Sequence, residues 1–236
     1  PLAMFGITDF ELWPEWSLRD DPPLRRATIA ALRDTGVSIG LAEGFRTAPG
    51  LDVAEFAGDL DLFAELGAVR INAIGMEPDV GRSHDQLAQL AEMAIARGLL
   101  FTIEFAPGLV IDSLEKTLAA IAHIGEGRCR VLLDTMHFFR TGGTIEQLAA
   151  LPPDTIGYVQ LADAPDAPPG ESYMMDAMFA RGVPGQGELP LRELIVALPP
   201  DMPVSIEVPR LADLRGGMSP RDHAARAVQA ARALGA

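Results

Sequence analysis

A chain of 236 residues, 48% of them hydrophobic, is long enough to bury one core, and barrels of this size commonly stay undivided, so a single domain over 1–236 is expected. Nineteen Lys and Arg against 33 Asp and Glu, a formal net charge of −14, argue against nucleic acid and anionic lipid as partners. The lone Cys129 excludes an intrachain disulfide and suits a reducing cytoplasm, and no apolar run approaches the ~20 residues of a membrane span, nor is an export leader read at the start.

In chain order, short β-type runs at 7–12, 37–41, 69–74, 100–105, 131–134, 156–161 and 204–208 alternate with longer amphipathic helical stretches. Up to the sixth run the repeat is about 30 residues, the length of a strand plus a crossover helix, and such units require a parallel sheet. Ser83 with Gln86 and Asp112 with Glu115 read as helix starts, as does Ser219 before Pro220. Gly36, Gly67, Gly98 and Gly125 stand where each helix exits toward the next strand.

The expected fold is α/β, a (β/α)8 TIM barrel. Seven strands are visible where a closed barrel has eight, so the first βα unit is expected to be missing from this chain, with 1–5 as the remnant of a preceding helix or the ordered chain starting late. A doubly wound open sheet is the other candidate, but no Gly-x-Gly-x-x-Gly turn follows an early strand. The period breaks at 165–189, an irregular segment containing Tyr173, Met174, Met175, Met178 and Phe179. Two roles are open to it, a lid over the catalytic face or the interface of a homodimer.

Barrel chemistry gathers at the C-terminal strand ends. Four polar residues end or interrupt apolar strands there: Glu104, Asp134, Gln160 and Glu207. Burying several carboxylates together is costly unless a proton or a cation is shared. Three carboxylates and an amide oxygen form an all-oxygen set, suited to Mn²⁺ first, then Mg²⁺, then Co²⁺. For any single acid the alternative is a helix cap or an ion pair with a neighbouring Arg or Lys. Trp13 and Trp16 could wall a pocket or pack between loops, and Asn72 and Glu43 are further polar residues near strand ends.

Ile-Glu-Phe-Ala-Pro at 103–107, Leu-Asp-Thr-Met-His at 133–137, Tyr-Val-Gln-Leu-Ala-Asp at 158–163, Arg-Gly-Val-Pro-Gly-Gln-Gly-Glu-Leu at 181–189 and Ile-Glu-Val at 206–208 resemble, in order, the xylose isomerase-like barrel superfamily. That superfamily includes sugar-phosphate isomerases and epimerases, hydroxypyruvate isomerases, inosose and dehydroshikimate dehydratases, and endonuclease IV repair enzymes. The resemblance implies that Glu104, Asp134, Gln160 and Glu207 hold the metal and that His137 and Arg181 touch substrate oxygens. Gln160 departs from the commoner pattern, which has His on that strand; the hydroxypyruvate-isomerase-like branch is similar in carrying Gln there, and the amide lowers the preference for softer metals. For Arg181 the alternative is a salt bridge to Glu188 or Asp176. His84, His123 and His223 read as structural.

The activity implied is a divalent-metal-dependent sugar or sugar-phosphate isomerase or epimerase, with Glu104 and Glu207 exchanging the substrate proton on a small hydroxy-carbonyl compound. The alternative is a metal-dependent dehydratase of the inosose or 3-dehydroshikimate type. Abasic-site DNA cleavage is disfavoured, because it calls for a His-rich zinc cluster and a cationic surface.

Overall fold

Strands alternating with capped helices are what the computed structural model shows over the residues it describes, 17–165 and 172–236. The run at 7–12, Trp13 and Trp16 lie outside them. The described chain forms two compact units, one comprising 17–104 and 108–131, the other 105–107 and 132–236.

The first unit runs α1 Ser17–Asp20, α2 Pro22–Thr35, β1 Ala42–Arg46, α3 Ala57–Glu65, β2 Arg70–Ile74, α4 Val80–Ile95, β3 Leu100–Glu104 and α5 Leu114–Ile124. Its strands are parallel and adjacent in chain order, β2 and β3 in unbroken register from Arg70↔Leu100 to Ile74↔Glu104. The core is aliphatic around Ile71, Leu87, Leu90 and Ile103, with Phe45 meeting Phe56 and Phe63 edge to face.

β4, Arg130–Asp134, straddles the division between the units. The second unit continues through α6 Thr135–Arg140, α7 Ile145–Ala149, β5 Ile156–Leu161, α8 Tyr173–Phe179, α9 Leu191–Ala197, β6 Val204–Ile206, α10 Leu211–Arg215 and α11 Pro220–Leu234. Its strands follow in the order β4, β5, β6, and β5 pairs parallel to β6 with Gln160 opposite Ser205. Leu161, Val183, Leu191, Ile206 and Val208 pack with Ala227 and Ala231 of α11, whose small side chains let the helix approach the strands closely.

Several expectations need correction. The strand expected at 37–41 forms at Ala42–Arg46, because hydrogen bonding to β2 outweighs the more apolar local run; Gly44, at φ +105°, sits in the bulge between Ala42 and Phe45 that this pairing requires. α4 is capped by Asp79, whose carboxylate accepts the Arg82 amide at 2.8 Å, while Ser83 is buried within the helix and meets Thr47 at 3.1 Å. α5 is capped by Ser113 instead of Asp112, which pairs with Lys116 at 2.8 Å. Ser219 caps α11 with Pro220 at its start, as expected. Gly36, Gly67, Gly98 and Gly125 all take positive φ. No helix among the described residues is long and apolar enough to cross a membrane.

Candidate active site

β4 delivers Asp134 to its C-terminal end, where the chain turns directly into α6. Asp134 therefore caps that helix: its Oδ1 accepts the backbone N–H of His137 at 2.8 Å. Its other oxygen accepts from the Arg181 guanidinium. The capping and functional readings of this acid thus coincide, one oxygen serving each. Burial pushes the Asp134 carboxyl upward, but Arg181, His137 and the capped amide outweigh that and hold it below the usual carboxylate range.

Arg181 is itself held on every side. Nη1 also reaches Glu207 Oε2 at 3.2 Å, and Nε donates to the Ala177 carbonyl at 2.6 Å. Its backbone N–H donates to Pro209 at 3.2 Å, and its carbonyl accepts from Arg210 at 3.1 Å. Of the two salt-bridge partners read as alternatives, Asp176 is not engaged; the guanidinium bonds Asp134 and Glu207 instead. Glu207 lies one residue beyond β6, whose strand stops at Ile206 short of the expected 208, and its backbone N–H donates to Leu161 at 3.1 Å.

His137 is buried on α6, and its Nδ1 shares a hydrogen bond with the Tyr173 hydroxyl of α8. Burial drives its pKa down to about 4 with the help of Arg181, against the opposing pull of Asp134. At neutral pH the imidazole is therefore uncharged. Gln160 is fully buried near the end of β5. The second unit thus unites Asp134, His137, Arg181 and Glu207.

Glu104 closes β3 in the first unit. Asn72 of β2 donates to its Oε2 at 2.8 Å and to Glu43 Oε1 of β1 at 3.4 Å, while Thr102 donates to the Asn72 carbonyl oxygen at 3.3 Å. The two carboxylates only accept, which turns the amide nitrogen toward them, and the Thr102 hydroxyl divides its single proton between Asn72 and the nearer Ile71 carbonyl at 3.0 Å. Asn72 is the support of Glu104 and links it to Glu43, a role that strand-end position alone did not assign.

Two further residues went unassigned from the sequence. Tyr173 orients His137, and its signal was only an aromatic inside an irregular segment. Asp163, the last residue of the 158–163 motif, is buried and accepts backbone N–H groups from Ala164 and Gly185 at 2.8 Å and from Leu189 at 3.2 Å. It anchors the glycine-rich turn that carries Arg181. Of the remaining histidines, His123 pairs with Asp85 at 2.9 Å, and His223 hydrogen-bonds the Val208 carbonyl at 2.8 Å.

The donor chemistry suits a cation. In the second unit two carboxylates, Asp134 and Glu207, share one guanidinium beside a neutral imidazole, which leaves a formal deficit of one positive charge where Asp134 is sealed from water. Carboxylate oxygens with the Gln160 amide are the ligand types that hard divalent ions take.

Comparison with known proteins agrees with this architecture. A protein of Streptomyces coelicolor named as a candidate hydroxypyruvate isomerase is 26% identical over 232 residues, spanning 82% of this chain and 76% of that one. A 3-dehydroshikimate dehydratase of Pseudomonas aeruginosa is 30% identical over 198 residues, covering 74% of this chain, which spans only 30% of that longer protein. A crystal structure of the IOLI protein with a bound zinc atom superposes with a TM-score of 0.78 at 20% identity, over 97% of this chain and 86% of that one. The family model of the xylose isomerase-like TIM barrel matches residues 2–236, and the chain therefore belongs to that family.

Proposed function

We propose that this protein is a divalent-metal-dependent isomerase or epimerase of a small polyhydroxylated carbonyl compound, acting as one barrel domain in the cytoplasm. The observation that carries the reading is the sharing of Arg181 by Asp134 and Glu207, beside a His137 that burial keeps neutral. Family membership supports it, as does the likeness to the candidate hydroxypyruvate isomerase.

In this reading Glu104, Asp134, Gln160 and Glu207 would hold a divalent ion, Mn²⁺ ahead of Mg²⁺ and Co²⁺. When bound, the ion supplies positive charge that stabilises an enediolate. Glu104 and Glu207 carry the substrate proton: one carboxylate removes it from the carbon beside the carbonyl, and the other returns one. Return to the opposite face of the same carbon makes an epimer, and return to the neighbouring carbon makes an aldose–ketose isomer. His137, neutral and oriented by Tyr173, donates its Nε2 proton to a substrate oxygen, and Arg181 lends its charge to the same region while fixing both acids.

The likeness to a 3-dehydroshikimate dehydratase favours a second reading, in which the same proton abstraction ends in loss of a β-hydroxyl as water. One experiment tests both. Ketoses, inososes, hydroxypyruvate and dehydroshikimate are incubated with the Mn²⁺-loaded enzyme in deuterated water, and exchange is followed together with ultraviolet absorbance. Exchange without new absorbance is expected, and a growing conjugated enone selects the dehydratase. Chelation and Glu207→Gln should each abolish exchange while leaving the fold intact; full exchange after verified metal removal refutes metal catalysis.

A further inference from the structure

The geometry points to Asp176 as the residue that reads a substrate hydroxyl, and to a substrate whose end facing α8 is an uncharged polyol and not a phosphate or carboxylate. The inference rests on the proposed reading of the site and deepens it.

α8 is tied to the functional residues at two points. Tyr173 bonds His137, and the Ala177 carbonyl accepts Arg181 Nε at 2.6 Å. Residues 173, 176 and 177 lie on one helical face by the three- and four-residue spacing, whereas Met174 and Met175, 44% and 57% exposed, point outward. Asp176 thus shares the buried face of α8 with Tyr173, which bonds His137, and it is only 8% exposed.

Its carboxylate is anomalous. Oδ2 is shielded from solvent and has no hydrogen-bond partner among the described residues, and no cation of those residues pairs with it. Arg181, one turn further on, is committed to Asp134 and Glu207. A buried carboxylate oxygen without a donor is costly, so one kept in this position calls for a function. Because a carboxylate accepts hydrogen bonds and repels anions, the chemistry it suits is a substrate hydroxyl donating to Oδ2. A phosphate at the same place would meet buried like charge.

The test uses the full Mn²⁺-loaded protein and unreactive probes. Sorbitol, myo-inositol and, as anionic counterpart, sorbitol 6-phosphate are titrated calorimetrically into wild type and Asp176→Asn. At least one neutral polyol should bind wild type more tightly than sorbitol 6-phosphate does, and Asp176→Asn should weaken that polyol roughly 10- to 100-fold, the worth of a hydrogen bond to a charged group. The midpoint of thermal unfolding should stay level or rise, since Oδ2 has no bond to lose in the folded protein. Tighter binding of the phosphate, no polyol binding, or unchanged affinity in the variant overturns the proposal. A lowered midpoint with unchanged affinity assigns Asp176 a structural role and overturns it equally. Asp176→Ser serves as the second variant if the first does not fold. The deuterium-exchange assay separates the two levels: polyol binding that needs Asp176 without exchange of any carbonyl compound sinks the isomerase reading alone, and exchange with an unaltered KM in Asp176→Asn sinks the hydroxyl site alone.

Discussion

Replacing Arg181 by Met removes the cation that two carboxylates share while keeping most of the side chain's apolar bulk. The cost follows from burial. Arg181 is 4% exposed, Asp134 is sealed, and Glu207 is a quarter exposed, so Asp134 loses its counter-charge without access to water while Glu207 is partly rehydrated. Breaking a buried pair by deleting one partner costs about 3–5 kcal/mol, most of it the stranded charge. The bond from Nε to Ala177 goes as well, which loosens α8. For a chain of this length the loss corresponds to a fall in unfolding midpoint of roughly 6–20 °C. Urea unfolding of wild type and variant at pH 7.5, with and without Mn²⁺, measures it. Arg181→Lys keeps the charge but not the fork that spans both acids, and should fall between the two. A loss below about 1 kcal/mol in the metal-free Met variant would show that the pairing does not anchor the site and would refute the reasoning.

Two other outcomes follow from the geometry. A Cβ added at Gly187 would lie 2.5 Å from the Ala164 carbonyl oxygen and 2.7 Å from its nitrogen, so Gly187→Ala must displace backbone; a loss of about 1–3 kcal/mol is expected, with reduced exchange activity because the same turn carries Arg181. Equal stability and activity in that variant would show the loop to be compliant. For His137, depression of the folded pKa to about 4 from the ordinary imidazole value of 6.5 means that the unfolded chain binds the proton first as pH falls. Its contribution is fully present above pH 6.5 and declines toward pH 4 by roughly 3 kcal/mol. His137→Asn should flatten the stability profile of the metal-free protein in that window, and an unchanged slope would place the dependence elsewhere.

Much of this was legible in the chain. β3, β4 and β5 appear within a residue of their expected bounds, because β3 and β4 are apolar runs between a glycine-marked helix exit and a terminal acid, and β5 is an apolar run that follows a Pro-Pro turn and is interrupted by Gln160. The same pattern singled out Glu104, Asp134, Gln160 and Glu207, since a polar group ending an apolar strand is a local anomaly. β1 was misplaced for the converse reason. Ala42-Glu-Gly-Phe-Arg looks like a loop, whereas Val37, in the more apolar run preferred from sequence, is 58% exposed.

Residue pattern alone determined the alternation of strand and helix, the acids at strand ends and the glycines that turn the chain, because each depends on a residue and its near neighbours. Only the tertiary structure decided that Arg181 would take Asp134, 47 residues earlier, ahead of the nearby Asp176. It likewise brought Tyr173 to His137 across 36 residues and left Asp176 buried with an oxygen unpaired. Such partners are chosen by which side chains share a space that excludes water, and that space exists only once distant strands and helices have packed.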